Sequence, residues 1–182
     1  MSRRLPIIST IIVLAAVATM IALGIWQLGR RAEKEALIAS YEAAMGADDL
    51  VVFPIKGEGE ALLFRRSQID CQSVAKIEAV SGTSAKGQKG WVQRATCRSG
   101  AIVDLGYSRD IAKPDFTGGK ATGVIAPGPR LVADPPLAGL EPMAKPDPGD
   151  LPNNHLAYAG QWFFFALTAL VIYVLALRRR RE

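Results

Sequence analysis

Two stretches of this chain carry no charge for 22 residues each, 7–28 near its start and 156–177 near its end. A helix rises about 1.5 Å per residue, so each run covers roughly 33 Å, enough for a hydrocarbon layer of about 30 Å. Two buried helices of that length and purity are out of scale for a soluble protein of 182 residues. The runs therefore predict two membrane spans, and whatever else the chain folds into must hang between them.

Charge placement sets the rest. The formal net charge is +5, yet Arg3, Arg4, Arg30, Arg31 and Arg178 to Arg181 all flank the apolar runs. Between positions 32 and 155 there are 14 basic and 16 acidic residues, a balance of −2. No basic patch is left to track a phosphate backbone, so nucleic acid is not an expected partner. The arginines act on topology instead. Four follow the second run directly and no Lys or Arg lies close before it. The positive-inside rule puts that end in the cytoplasm, and a two-span hairpin returns the N-terminus there too. The first run exceeds the roughly 7 to 15 apolar residues of a signal-peptide core, so it reads as an uncleaved anchor. No Arg- and Ser-rich amphipathic leader precedes Ile7, which points to a bacterial inner membrane with the middle of the chain in the periplasm.

The expected organisation is a cytoplasmic N-terminus at 1–6, a transmembrane helix at 7–28 and a helical extension at 29–46. A mostly β periplasmic domain follows at 47–126, then a Pro-rich connector at 127–154, a second transmembrane helix at 155–177 and a cytoplasmic basic tail at 178–182. The extension is rich in Ala, Glu, Leu and Lys and ends at Gly46. "LVVFPI", "LLFRRSQID", "VAKIEAV", "GWVQRATC", "AIVDLGY" and "ATGVIA" are short β-rich runs, most of them separated by Gly, Ser or Pro. "SGTSAKGQKG" reads as a loop, and Ser99-Gly100 as a hairpin turn. The fold class is α+β: two spans flanking a small barrel or sandwich. Eight prolines between 127 and 152 mark the stretch leading back to the membrane as a semi-rigid extended connector.

Cys71 and Cys97, the only cysteines, each sit in a predicted strand. They are either a disulfide or two small unpaired residues. Two free thiols are a liability in an oxidising compartment, which favours the disulfide. Without a CxxC pair, a thioredoxin-like redox enzyme or a zinc site is disfavoured. No nucleophile, acid–base pair or nucleotide loop stands out, so the chain is expected not to be an enzyme.

His155, the only histidine, opens the second span. On a helix it shares a face with Trp162, nearly two turns on, with Tyr158 and Ala159 between them. Trp26 and Gln27 end the first span at a similar depth. Neutral imidazole ligates haem iron and aromatic walls suit a flat macrocycle. Equally, Asn153 or Asn154 caps the helix, His155 hydrogen-bonds at the interface, and the aromatics form an ordinary interfacial belt.

Gly24-x-Trp26-Gln27-x-x-Arg30-x-x-x-Lys34 after an N-terminal span resembles the Surfeit locus protein 1 (Shy-type) family. So does Asn154-His155-Leu156-x-Tyr158-Ala159-x-x-Trp162-Phe163 opening a C-terminal one. Phe64-Arg65-Arg66 resembles an early strand of that family, and Val103-Asp104-Leu105-Gly106-Tyr107 stands where it usually has Val-Asn-Arg-Gly-Trp. The resemblance implies a two-span inner-membrane factor for cytochrome c oxidase assembly and respiratory chain biogenesis. As a haem chaperone it would bind haem a transiently and assist its insertion into oxidase subunit I; haem a synthase is a further implied partner. His155 corresponds to the family's haem-linked histidine, the implied iron ligand, and Trp162 to its tryptophan. Tyr158, Trp26, Gln27 and Arg30 complete the expected cofactor-binding set. A scaffold that holds nascent subunit I without binding haem is the alternative.

Overall fold

The computed structural model describes residues 7–55 and 59–179. Arg3, Arg4, the expected N-terminal segment and residues 180–182 of the basic tail lie outside them. The chain divides into two compact units, a helical one (1–37 with 152–182) and a sheet unit (38–151).

Helix α1 runs Ile7–Met45 and helix α2 runs His155–Arg179. Both are long and apolar enough to cross a membrane. Only 11% and 6% of their most apolar windows are buried, whereas a soluble core helix hides most of its surface. Within the apolar run of α1, buried and half-buried positions include Thr10, Val13, Val17, Met20, Gly24 and Gln27, with Leu23 beside Gly24. In α2 they recur at His155, Ala159, Trp162, Ala166, Ala169 and Tyr173. Both series step by three and four residues, the spacing of a helix–helix seam. Thr10 hydrogen-bonds Tyr173 and Gln27 hydrogen-bonds His155, so the helices run antiparallel. These two links stand 17 residues apart on α1 and 18 on α2, which holds the helices nearly in line. Gly24 lets them close: a Cβ there would lie 2.5 Å from the Phe163 ring. Small residues at such seams let backbones approach where lipid offers no hydrophobic drive to association.

In the sheet unit seven strands form one mixed sheet: β1 Val51–Val52, β2 Arg66–Cys71, β3 Val74–Thr83, β4 Lys89–Cys97, β5 Ile102–Ser108, β6 Gly119–Ala126 and β7 Arg130–Ala133. Their order is β1-β2-β6-β7-β5-β4-β3. The β1/β2 and β5/β7 pairs are parallel and the others antiparallel. This corrects the expected barrel or sandwich. The sheet is open, ending in β1 and β3, and β1 is only two residues long, with Pro54 two positions beyond its end. A sandwich would need a second sheet; one face is covered instead by Tyr41, Phe53, Leu63 and Phe64, with Tyr41 and Phe64 ring centroids 5.1 Å apart.

The Pro-rich stretch is also more than a connector. Arg130–Ala133, a proline-free segment of it, enters the sheet as β7 between β6 and β5. Its entry depends on Gly123, where a Cβ would lie 1.9 Å from the Val132 carbonyl oxygen. Further on, Glu141 and Met143 bridge to Tyr107 and Ser84. The expected loop "SGTSAKGQKG" is half strand: β3 continues to Thr83 and β4 resumes at Lys89. Only residues 84–88 turn, with Ser84 Oγ accepting the Lys86 and Gln88 N–H groups.

β2 alternates exposed and buried, turning Ser67, Ile69 and Cys71 inward. Cys71 is bonded to Cys97 on β4, their Cα atoms 5.5 Å apart, and both are buried. This tie links strands that lie far apart in sheet order. Closing a loop of 26 residues in the unfolded chain is worth about 3 kcal/mol. Purified protein should show no maleimide-reactive thiol under denaturing, non-reducing conditions. Cys71→Ser with Cys97→Ser should lower the stability of the sheet unit by about 2 to 4 kcal/mol in urea unfolding. Full labelling of both thiols would contradict the bond.

Candidate functional site

The site the sequence singles out lies where α2 begins. Its first residue, His155, is half-buried, and Nδ1 lies 2.7 Å from Oε1 of Gln27 on α1. Both side chains occupy the seam because each falls on its helix's three-four series. Trp162 is on the same seam about 10 Å further along the axis, with Phe165 edge-on to it at 6.4 Å between centroids. Of the six expected cofactor-binding residues, the structure thus brings His155 and Gln27 together and sets Trp162 in line with them.

The other three fall elsewhere. Trp26 neighbours Gln27 in sequence but is turned about 100° around the helix, and it is 57% exposed. Tyr158 is 50% exposed. Both rings are outward, as suits an interfacial belt, and Phe164 and Phe165 are likewise exposed, while the Phe163 ring lies against Gly24. Arg30 pairs with Glu33 one turn on, and Arg31 with Glu35 at 2.7 Å. Both pairs are exposed, so each is worth no more than about 1 kcal/mol and yields readily to a stronger anion. Asn153 does not cap α2: its Oδ1 is enclosed with no hydrogen-bond partner among the described residues.

These features fit an iron-porphyrin ligand. One ring nitrogen of His155 is engaged by Gln27, so Nε2 is the nitrogen that could ligate a metal, and the half-buried ring keeps part of its surface open. Among the described residues there is no group of three or more His, Cys, Asp or Glu side chains that would hold a bare metal ion.

Sequence reasoning missed a second feature, in the sheet unit. Asp104, 4% exposed in its side chain, is gripped by Arg94 Nε at 2.6 Å and by Arg130 Nε at 2.8 Å. Arg94 and Asp104 are register partners across β4 and β5, and β7 brings Arg130 alongside. Its hydrogen bonds to Asp104 raise the Arg94 pKa above the ordinary value, with burial opposing. The three side chains line a cleft of about 360 Å³ floored by Val80, Val92, Val132 and Met143. The only sequence signal for it was the Asp104 position in the "VDLGY" run. The carboxylate already neutralises much of the paired guanidinium charge, and Asp147 and Asp150 add further negative charge at the rim, so the triad reads as an internal tie of the sheet.

Two helices long and apolar enough to span a membrane, flanking a mixed sheet domain, define the class. In comparison with known proteins, the SURF1 family model matches residues 14–74, about a third of the chain, and this is the family that the Trp26-Gln27 block resembles. The match takes in Trp26, Gln27, Arg30 and the "FRR" strand and does not extend to His155 or Trp162. That family is one of cytochrome c oxidase assembly factors and not a known family of enzymes. No curated protein and no solved structure matches the chain.

The seam makes Gly24 a sensitive position. Phe163, 37% exposed, has room to swing outward from an alanine methyl, but a branched side chain has nowhere to go. Gly24→Ala should change the detergent-unfolding midpoint little, whereas Gly24→Leu should destabilise the helix pair by about 1 to 3 kcal/mol. Equal effects of the two would show that Gly24 is not at a close contact.

Proposed function

We propose that this chain is a two-span inner-membrane assembly factor that binds haem a and assists its insertion into subunit I of cytochrome c oxidase. Both termini are cytoplasmic in this reading, and the sheet unit is periplasmic. The observation that carries it is the placement of the chain's only histidine: half-buried at the first turn of α2, its ring held by a residue of the matched family segment.

The chemistry supports that position. Haem a has a long apolar tail, which belongs against lipid, and propionates, which belong near water and cations. The end of a membrane helix offers both environments within one helical turn. Arg30 can exchange its exposed Glu33 pair for a propionate, a charge-assisted bond of greater strength. Trp162 supplies a flat apolar wall along the seam. A single histidine bond holds a haem without enclosing it, as a factor that hands its cargo on requires. The same family match is compatible with a scaffold for nascent subunit I, in which the His155–Gln27 pair only joins the helices.

Full-length protein purified from cells that make haem a should carry haem with a Soret band. His155→Ala should still insert and still co-purify with oxidase subunits, with haem reduced to the level of an unrelated two-span protein. Trp162→Ala should lose less. Normal haem content and an unchanged Soret band in His155→Ala would defeat the ligand assignment and leave the scaffold.

A further inference from the structure

We propose that Gln27 is a positioning residue: it fixes His155 in the tautomer and orientation that present Nε2, and not Nδ1, to the haem iron. This inference rests on the haem-binding reading above and deepens it.

An amide oxygen has lone pairs and no proton, so in the contact of Gln27 Oε1 with His155 Nδ1 the ring nitrogen donates. A neutral imidazole carries one N–H. With that proton on Nδ1, the lone pair belongs to Nε2, the nitrogen further from the backbone. Nδ1 is thereby excluded as the ligating atom. A histidine that ligates a metal normally donates its other N–H to an oxygen acceptor, which locks the ring and raises the basicity of the ligating nitrogen. Gln27 supplies that acceptor from the opposite helix, 128 positions away in sequence. It does so from the seam, where its own side chain is half-buried, so neither partner is free to swing. Gln27 thus passes from the list of groups expected to touch the cofactor to a role exerted through His155.

A competing account makes the contact a simple clamp between helices. The molecule holds its own control: Thr10 and Tyr173 form a second interhelical hydrogen bond at the other end of the same seam. A clamp role is shared by both bonds, a positioning role by one.

The experiment uses the full-length chain in lipid nanodiscs, with a tag free of histidine, and hemin as the probe. Because His155 is the only histidine, ¹⁵N-histidine labelling reports one ring. Before hemin is added, the wild type should show a protonated Nδ1 and a bare Nε2, and Gln27→Leu should show exchange between tautomers. Hemin affinity should fall about 10- to 100-fold in Gln27→Leu, the usual effect of removing such a partner. Gln27→Glu, which still accepts from Nδ1, should bind near the wild-type level and lower the midpoint potential of the bound iron by adding negative charge. Tyr173→Phe should bind like the wild type. Equal losses in Gln27→Leu and Tyr173→Phe would establish the clamp and overturn the positioning role, as would unchanged affinity in Gln27→Leu. A wild-type chain that binds no hemin overturns the haem reading itself, and the ligation inference falls with it.

Discussion

Everything at the candidate site depends on the antiparallel seam between α1 and α2. In lipid the tails are as apolar as the side chains, so helices associate by close packing and a few hydrogen bonds. Here Gly24, Ala159 and Ala166 provide the approach, and Gln27–His155 and Thr10–Tyr173 link the two helices. The seam fixes helix rotation, and rotation decides which residues at the helix ends meet. A turn of one residue would put Trp26 where Gln27 stands and leave the histidine facing an indole in place of an oxygen acceptor.

That geometry divides the aromatic residues into two groups with different work. Trp162 lies on the seam with His155. Trp26, Tyr158, Phe164 and Phe165 are exposed, as suits rings in a membrane interface, while Phe163 packs on Gly24. One stretch of sequence thus carries both a candidate ligand wall and a membrane anchor, and period alone separates them. In the sheet unit an analogous economy holds. The Cys71–Cys97 bond and the Asp104 triad tie strands that the open sheet would otherwise leave held mainly by their ladder bonds.

The spans were legible because charge-free runs of 22 residues have few alternatives, and six strands because β-rich runs sat between turn residues. β7 was hidden by its neighbours: Pro129 and Pro135 made the whole stretch look like connector, although the four residues between Arg130 and Ala133 contain no proline. Its loss from the reading also cost the architecture, since β7 joins β6 to β5 and makes one sheet of what otherwise resembles separate hairpins. The Arg94–Asp104–Arg130 triad was invisible for the same reason, because Arg130 arrives on β7. His155 and Gln27 were each legible as candidates, but their contact was not, since it depends on the rotation of two helices. The signal that would have found it was present: Val17 and Gly24 on one helix, and Ala159 and Ala166 on the other, each recur at seven residues.

The central claim is that the single imidazole of this chain binds haem iron. Pulsed electron paramagnetic resonance of the hemin-loaded, full-length protein labelled only at histidine with ¹⁵N tests it most directly. The account predicts a ¹⁵N coupling to low- or high-spin ferric iron from one imidazole, in addition to the unlabelled porphyrin nitrogens. A spectrum of bound hemin with porphyrin nitrogens alone would contradict it, because His155 is the only histidine available to supply the labelled ligand.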